Sequence, residues 1–213
     1  MPDGSHSFAP ETDALIGPNA ILQLQAPVQE ILGQGVLAQV LDLCRVPLPT
    51  GDRMISEQDV ARVHHTLWQL FPDLAEAVSE RAGQATADYI RQNRIPRVAR
   101  LALRVMPAHM AEGMLTKAIA DHAWTFCGSG ALETRREEGR IHFLIRDNPL
   151  ADRHAHPQHA CHWHSAVFAG LFSRLLGKHY DCREVSCGAM GGDVCHFVVS
   201  RDAMAAHFKG LNL

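Results

Sequence analysis

The chain predicts an α+β fold in which an antiparallel sheet of two hairpins packs with several helices. Three observations carry this prediction. Apolar residues recur at helical spacing through much of the stretch 28–122. Two pairs of short alternating segments follow, and one apolar helical segment separates the pairs. The alternating strand–helix rhythm of a parallel nucleotide-binding sheet is missing.

Residues 1–18 are polar and punctuated by Pro and Gly, which predicts a flexible tail with structure starting near Asn19. Residues 19–213 then form a single domain. Val28, Ile31, Leu32, Val36, Val40 and Leu41 predict one helix, mildly interrupted by Gly33 and Gly35 and finished before Pro47. Ser56 with Asp59 resembles a capping pair and opens a helix carrying Val60, Val63, Leu67 and Leu70 as far as Pro72. A third helix covers residues 74–90. Pro96 and Pro107 punctuate the next segment, after which Met110, Met114, Leu115, Ala118, Ile119 and His122 mark another helix, ended by Gly128-Ser129-Gly130. Extended segments at 132–136 and 141–145 join through Glu137-Glu138-Gly139. A helix runs from Cys161 to a stop at Gly177, and residues 180–187 and 194–199 make the second hairpin around Met190-Gly191-Gly192.

Composition bounds the function. With 213 residues and 46% hydrophobic content the chain can bury a substantial core. A formal charge of −3, with Lys and Arg read as scattered, gives no basic footprint, so no nucleic-acid partner is expected. No stretch approaches the roughly 20 apolar residues of a membrane span, and the first residues lack a secretory pattern, so a cytoplasmic protein is expected. Thiols there stay reduced, which turns attention from disulfides to metal or redox chemistry.

Four of the six cysteines fall between 161 and 195. Cys161, Glu184, Cys187 and Cys195 offer three thiols and a carboxylate, a donor set suited to a closed, tetrahedral, structural zinc site. The alternative is a reduced, metal-free cluster. Cys161 sits in the first turn of its helix, where unpaired N–H groups favour the thiolate. Cys187 and Cys195 meet across the hairpin, and Glu184 joins them if a bulge corrects its odd offset of three from Cys187. The stretch from His154 to His164, with five histidines in eleven residues, is a rival metal site or a solvated polar loop.

The pattern Cys161…Gly170…Gly177…Glu184-Val185-Ser186-Cys187…Gly191…Cys195-His196-Phe197 resembles the 4-vinyl reductase domain family, over about residues 95–200. The resemblance implies a fold like that of a vesicle-tethering-complex subunit, a small-molecule pocket, and zinc held by Cys161, Glu184, Cys187 and Cys195. It also implies self-association, most simply as a homodimer, for which the apolar stripe 28–41 is the candidate surface. The chain as a whole looks like members of that family from purple phototrophic bacteria. This implies a role in bacteriochlorophyll or chlorophyll synthesis, with a magnesium tetrapyrrole, a porphyrin or chlorophyllide intermediate, as ligand and the pathway enzymes as partners.

For such a pocket Met110, Met114, Trp124, Phe143 and Trp163 are candidate walls, and His109, His122, His162 and His164 candidate axial donors to a ring metal; core packing is the competing role for the walls. Two functions follow. One is a binding protein that presents the pigment to pathway enzymes; the other is an 8-vinyl reductase served by an external electron donor. No strand-linked G-x-G-x-x-G and no ferredoxin-type cysteine run occurs, and a filled zinc site is redox-inactive, so the binding protein is the expectation.

Overall fold

A computed structural model describes residues 14–151 and 161–201. Ordered structure starts earlier than Asn19. Leu15–Ile16 (β1) pairs antiparallel with Ile55–Ser56 (β2), and Ile16 is buried, so the expected tail boundary moves toward the N-terminus.

The helical layer begins with α1 (Asn19–Leu22), α2 (Gln25–Ile31) and α3 (Val36–Cys44). The single helix expected over 28–41 is therefore two. Gly35 adopts φ +79, a left-handed backbone that a helix interior does not accept, and α3 restarts from it. Val28, Val40 and Leu41 are buried within the chain, so the stripe 28–41 is core and not a dimer surface. After β2 comes α4 (Glu57–Leu70), capped as expected by Ser56, whose hydroxyl accepts from the Gln58 amide. α5 (Ala75–Asn93), α6 (Arg97–Val105) and α7 (Ala108–Asp121) complete the layer. Pro96 and Pro107 stand immediately before α6 and α7, where a missing N–H costs nothing.

The two hairpins fall where the alternation put them: β3 (Ala131–Glu137) with β4 (Arg140–Arg146), and β5 (Tyr180–Ser186) with β6 (Cys195–Arg201). They join into one antiparallel sheet of order β3-β4-β6-β5, the central pair registered by Phe143 opposite Phe197 and Ile145 opposite Cys195. Between the hairpins runs α8 (His162–Leu176), N-capped at Cys161 and stopped by Gly177 in the left-handed conformation.

α8 lies between the sheet and α5. On the sheet side Phe168 stacks on Phe143 with centroids 4.4 Å apart and meets Phe197 edge-on. On the α5 side the helices nearly touch: a Cβ built on Gly83 would lie 2.4 Å from the Trp163 carbonyl oxygen. Arg174 donates to Asp88 at 2.7 Å across the same seam. A buried carboxylate ties α7 to both edges of the sheet, since Glu112 accepts from Arg136 of β3 and from the Tyr180 hydroxyl of β5.

Candidate metal centre and ligand cavity

The C-terminal corner is built by three elements that each deliver donors at an end. Cys161 arrives at the N-terminus of α8, Glu184 and Cys187 at the end of β5, and Cys195 at the start of β6. The register shifts between Glu184 and Ser186, the bulge that the offset of three required. One ligand atom from each of the four residues lies within 4.8 Å of all the others. Cys161 Sγ is 4.0 Å from Cys187 Sγ and 3.6 Å from Cys195 Sγ. Tetrahedral zinc with Zn–S bonds of about 2.3 Å places its sulfurs roughly 3.8 Å apart, so this spacing fits the ion.

The surroundings favour anionic sulfur. Asn148 Nδ2 donates to Cys161 Sγ at 3.3 Å, and the Gly188 amide donates to Cys195 Sγ at 3.3 Å. The Cys161 amide donates to Glu184 Oε2 at 3.2 Å. Without a cation the four groups oppose one another's ionisation. Burial and the neighbouring Cys187 push the Glu184 carboxyl up to about 8, and contacts with Cys187 and Cys195 together with burial raise Cys161 well above the ordinary thiol range. A divalent cation reverses that logic by binding the deprotonated forms. The remaining cysteines lie apart: Cys127, which burial pushes up to about 12, Cys182 beneath α8, and Cys44, whose thiol meets Thr66. Of the histidine-rich stretch, His154, His156 and His159 lie outside the described residues. His162 is half-buried beside Trp68 and, with Glu76 and Glu80, forms a second, more exposed grouping of donor atoms.

A separate cavity of about 230 Å³ opens between α5, α7, α8 and the turn after α7. Leu115, Ile119, Phe126, Val167, Phe168 and Leu171 give it apolar walls. Among the expected pocket residues, His122, Trp163 and His164 line it. The others do not. Phe143 is in the core beneath α8, and Met110, Met114 and Trp124 are each more than half exposed at the surface. His109 is exposed, holding Arg136 through its backbone carbonyl. The reason lies on α7, which buries Ala111, Leu115 and Ile119; Met110 and Met114 sit one residue earlier, about 100° round the helix.

Three polar groups stand out along the cavity. His164 is fully buried among the rings of Trp163, Phe126, Phe168 and Phe197, and neither ring nitrogen has a hydrogen-bond partner; burial lowers its pKa to about 3. Trp163 Nε1 is also buried without a partner. At the rim, His122 Nδ1 lies 2.8 Å from the Ala118 carbonyl. The carbonyl accepts, so Nδ1 carries the proton and Nε2 keeps a free lone pair, the arrangement by which metal-binding imidazoles are held. Arg94, which sequence reasoning passed over because it follows the end of α5, adds a cation to the rim.

Fold and thiol corner together define a 4-vinyl reductase domain protein, and the model of that domain family matches residues 141–201, the sheet and helix that hold the four donors. A relative that spans most of the chain gives the particular family. The chain is 41% identical over 184 residues to the bacteriochlorophyll synthase 23 kDa chain of Cereibacter sphaeroides, covering 85% of this chain and 88% of that one. The chain belongs to that family.

Among solved structures, a trafficking protein particle complex subunit 3 from Naegleria fowleri, covalently bound to palmitic acid, has a similar fold. Its TM-score is 0.50 at 15% identity, over 68% of this chain and 95% of that one. An H-NOX protein from S. oneidensis in the Fe(II)NO ligation state superposes with a TM-score of 0.54 at 10% identity, over 88% and 99%. The vesicle-tethering-like α+β fold expected from the sequence is the fold observed. No helix among the described residues is long and apolar enough to cross a membrane.

Proposed function

We propose that the protein takes part in bacteriochlorophyll synthesis by binding a magnesium tetrapyrrole intermediate in the cavity beside α8 and presenting it to the enzymes of the pathway. The relative's name supports the pathway. The observation that carries the ligand is the set of unpartnered polar groups on otherwise apolar walls: Trp163 Nε1, both nitrogens of His164, and the free Nε2 of His122. Buried polar groups without partners cost about 1–3 kcal/mol each, so a cavity that keeps them is suited to a ligand that satisfies them. A flat apolar macrocycle with a central metal and a carboxylate matches these walls, the His122 nitrogen and the Arg94 guanidinium. Its magnesium would supply a Lewis-acid centre for one axial donor, and of the four candidate histidines His122 is the one already oriented for that role.

Zinc held by Cys161, Glu184, Cys187 and Cys195 would be structural, fixing β5 and β6 to the start of α8 and thereby Trp163 and His164, two and three residues further on. Four protein donors leave no coordination position for chemistry.

The test is optical. Titrating purified protein with divinyl and monovinyl magnesium intermediates should shift the Soret band and quench tryptophan emission, without change to the pigment. Absence of any shift removes the binding reading. Conversion of divinyl to monovinyl pigment on adding only a nicotinamide donor replaces it with the reductase reading.

A further inference from the structure

We propose that α6 is a membrane-docking helix that lays an apolar stripe on an anionic lipid surface. Val98, Leu101 and Val105 are spaced i, i+3, i+7 and share one face of α6. They are 80%, 64% and 77% exposed, the most open large apolar side chains of any one helix. Leu103 is buried toward the protein on the opposite side, so the helix is anchored without using that stripe. A helix that holds one apolar face against its own protein and turns a second to water has the makings of an interfacial helix.

Charge selects the occupant. Arg91, Arg94, Arg97, Arg100 and Arg104 occur with no Asp or Glu anywhere from 91 to 107, although the chain as a whole is acidic by three charges. The arginines expected to be scattered are thus concentrated here. Among the described residues Arg97, Arg100 and Arg104 make no ion pair; Arg104 reaches the Arg174 carbonyl at 3.4 Å. Anionic headgroups attract such a rim while acyl chains accept the stripe. A second copy docking through the same face would bring arginines against arginines about the two-fold axis. A nucleic acid would leave Val98, Leu101 and Val105 in water.

The placement has a consequence for the cavity. Ile90, Arg94 and Ile95 line it, and the chain passes from Ile95 through Pro96 straight into α6. A docked α6 therefore holds one cavity wall near the lipid. The docking inference does not depend on the tetrapyrrole reading, because the probe is lipid alone.

The experiment is flotation of the full, metal-loaded chain with vesicles of phosphatidylcholine alone and of phosphatidylcholine mixed with phosphatidylglycerol. Wild-type protein should float with the mixed vesicles, much less with the neutral ones, and less at high salt. Leu101→Glu should abolish flotation. A double Arg97→Gln, Arg100→Gln variant should weaken it roughly thirtyfold. All three positions lie at the surface of α6, so unchanged circular dichroism and melting confirm that the variants fold; should Leu101→Glu misfold, the arginine variant still decides. Failure of wild-type protein to float with anionic vesicles overturns the proposal, as does flotation of both variants at wild-type strength. Light scattering in which Leu101→Glu converts a dimer to a monomer, with no vesicle binding by the wild type, assigns the face to a second copy and overturns it equally.

Discussion

The thiol corner and the ligand cavity are separated by barely one turn of α8, yet they are specified in opposite ways. The corner depends on four donors whose sequence intervals are fixed by a hairpin and a helix start, and removing any one leaves the others as buried groups that resist ionisation together. The cavity is assembled from α1, α5, α7 and α8, and most of its wall residues would be ordinary core residues in another arrangement. Stability should therefore concentrate in the corner and ligand recognition in the cavity. Variants that separate these two properties test the comparison.

The largest effect belongs to the corner. Cys195→Ser should lose bound zinc and destabilise the protein by at least about 4 kcal/mol, because the binding energy of a structural zinc is in large part folding energy. Cys182→Ser, a buried cysteine outside the cluster, should retain a full complement of metal. Elemental analysis and urea unfolding measure both. Equal metal content in the two variants would dissolve the distinction between corner and core.

The seam between the regions comes next. Gly83→Ala places a methyl 2.4 Å from the Trp163 carbonyl oxygen and 2.6 Å from Ala166 Cβ, contacts that backbone atoms cannot relieve by rotating. Overpacking of this kind costs about 3 kcal/mol. Since the displaced residue is Trp163, pigment affinity should fall as well while zinc is kept. Unaltered urea midpoint and unaltered pigment titration would show that α5 and α8 can separate freely.

A third effect depends on pH. His64 is buried, its Nε2 2.9 Å from the Ala20 carbonyl, and burial holds its pKa near 4. An unfolded chain protonates this imidazole below about 6.5, so between 6.5 and 4 the unfolded state binds more protons and stability falls as pH drops. From pH 7 to 5 the loss from this group is about 2 kcal/mol. His64→Gln keeps a side-chain donor for Ala20 but cannot titrate, and its urea midpoint should fall less steeply over that range than the wild type's. Identical slopes would mean that zinc release alone governs acid sensitivity.

How far each region could be read from sequence follows the same division. The corner was legible because metal coordination demands particular residue types at particular intervals, and even the bulge at Glu184 followed from an offset of three in a structure of period two. Both hairpins and the Ser56 cap were legible from local turn and cap chemistry. The break at Gly35 was not, since an apolar stripe continues across it and only the left-handed φ distinguishes a restart from a weak point. Nor was the cavity. Met110-Ala111 and Met114-Leu115 are adjacent pairs, and choosing which member faces inward requires knowing where α8 lies. The basic run around α6 escaped because net charge averages it against acidic residues elsewhere.

The smallest stability effect should accompany the most specific optical one. His122 is exposed, and its side chain is held by the Nδ1 donation to Ala118 four residues earlier, so His122→Ala should change folding stability by no more than about 0.5 kcal/mol. If Nε2 is the axial donor, the same variant should alter the position of the bound-pigment Soret band, and added imidazole should restore it, while Met110→Ala at the surface alters neither. The urea midpoint separates a folding defect from a ligand defect, and imidazole rescue separates metal coordination from wall packing. A Soret band indistinguishable between wild type and His122→Ala would withdraw the axial role from His122 and leave His164 as the remaining candidate histidine that lines the cavity.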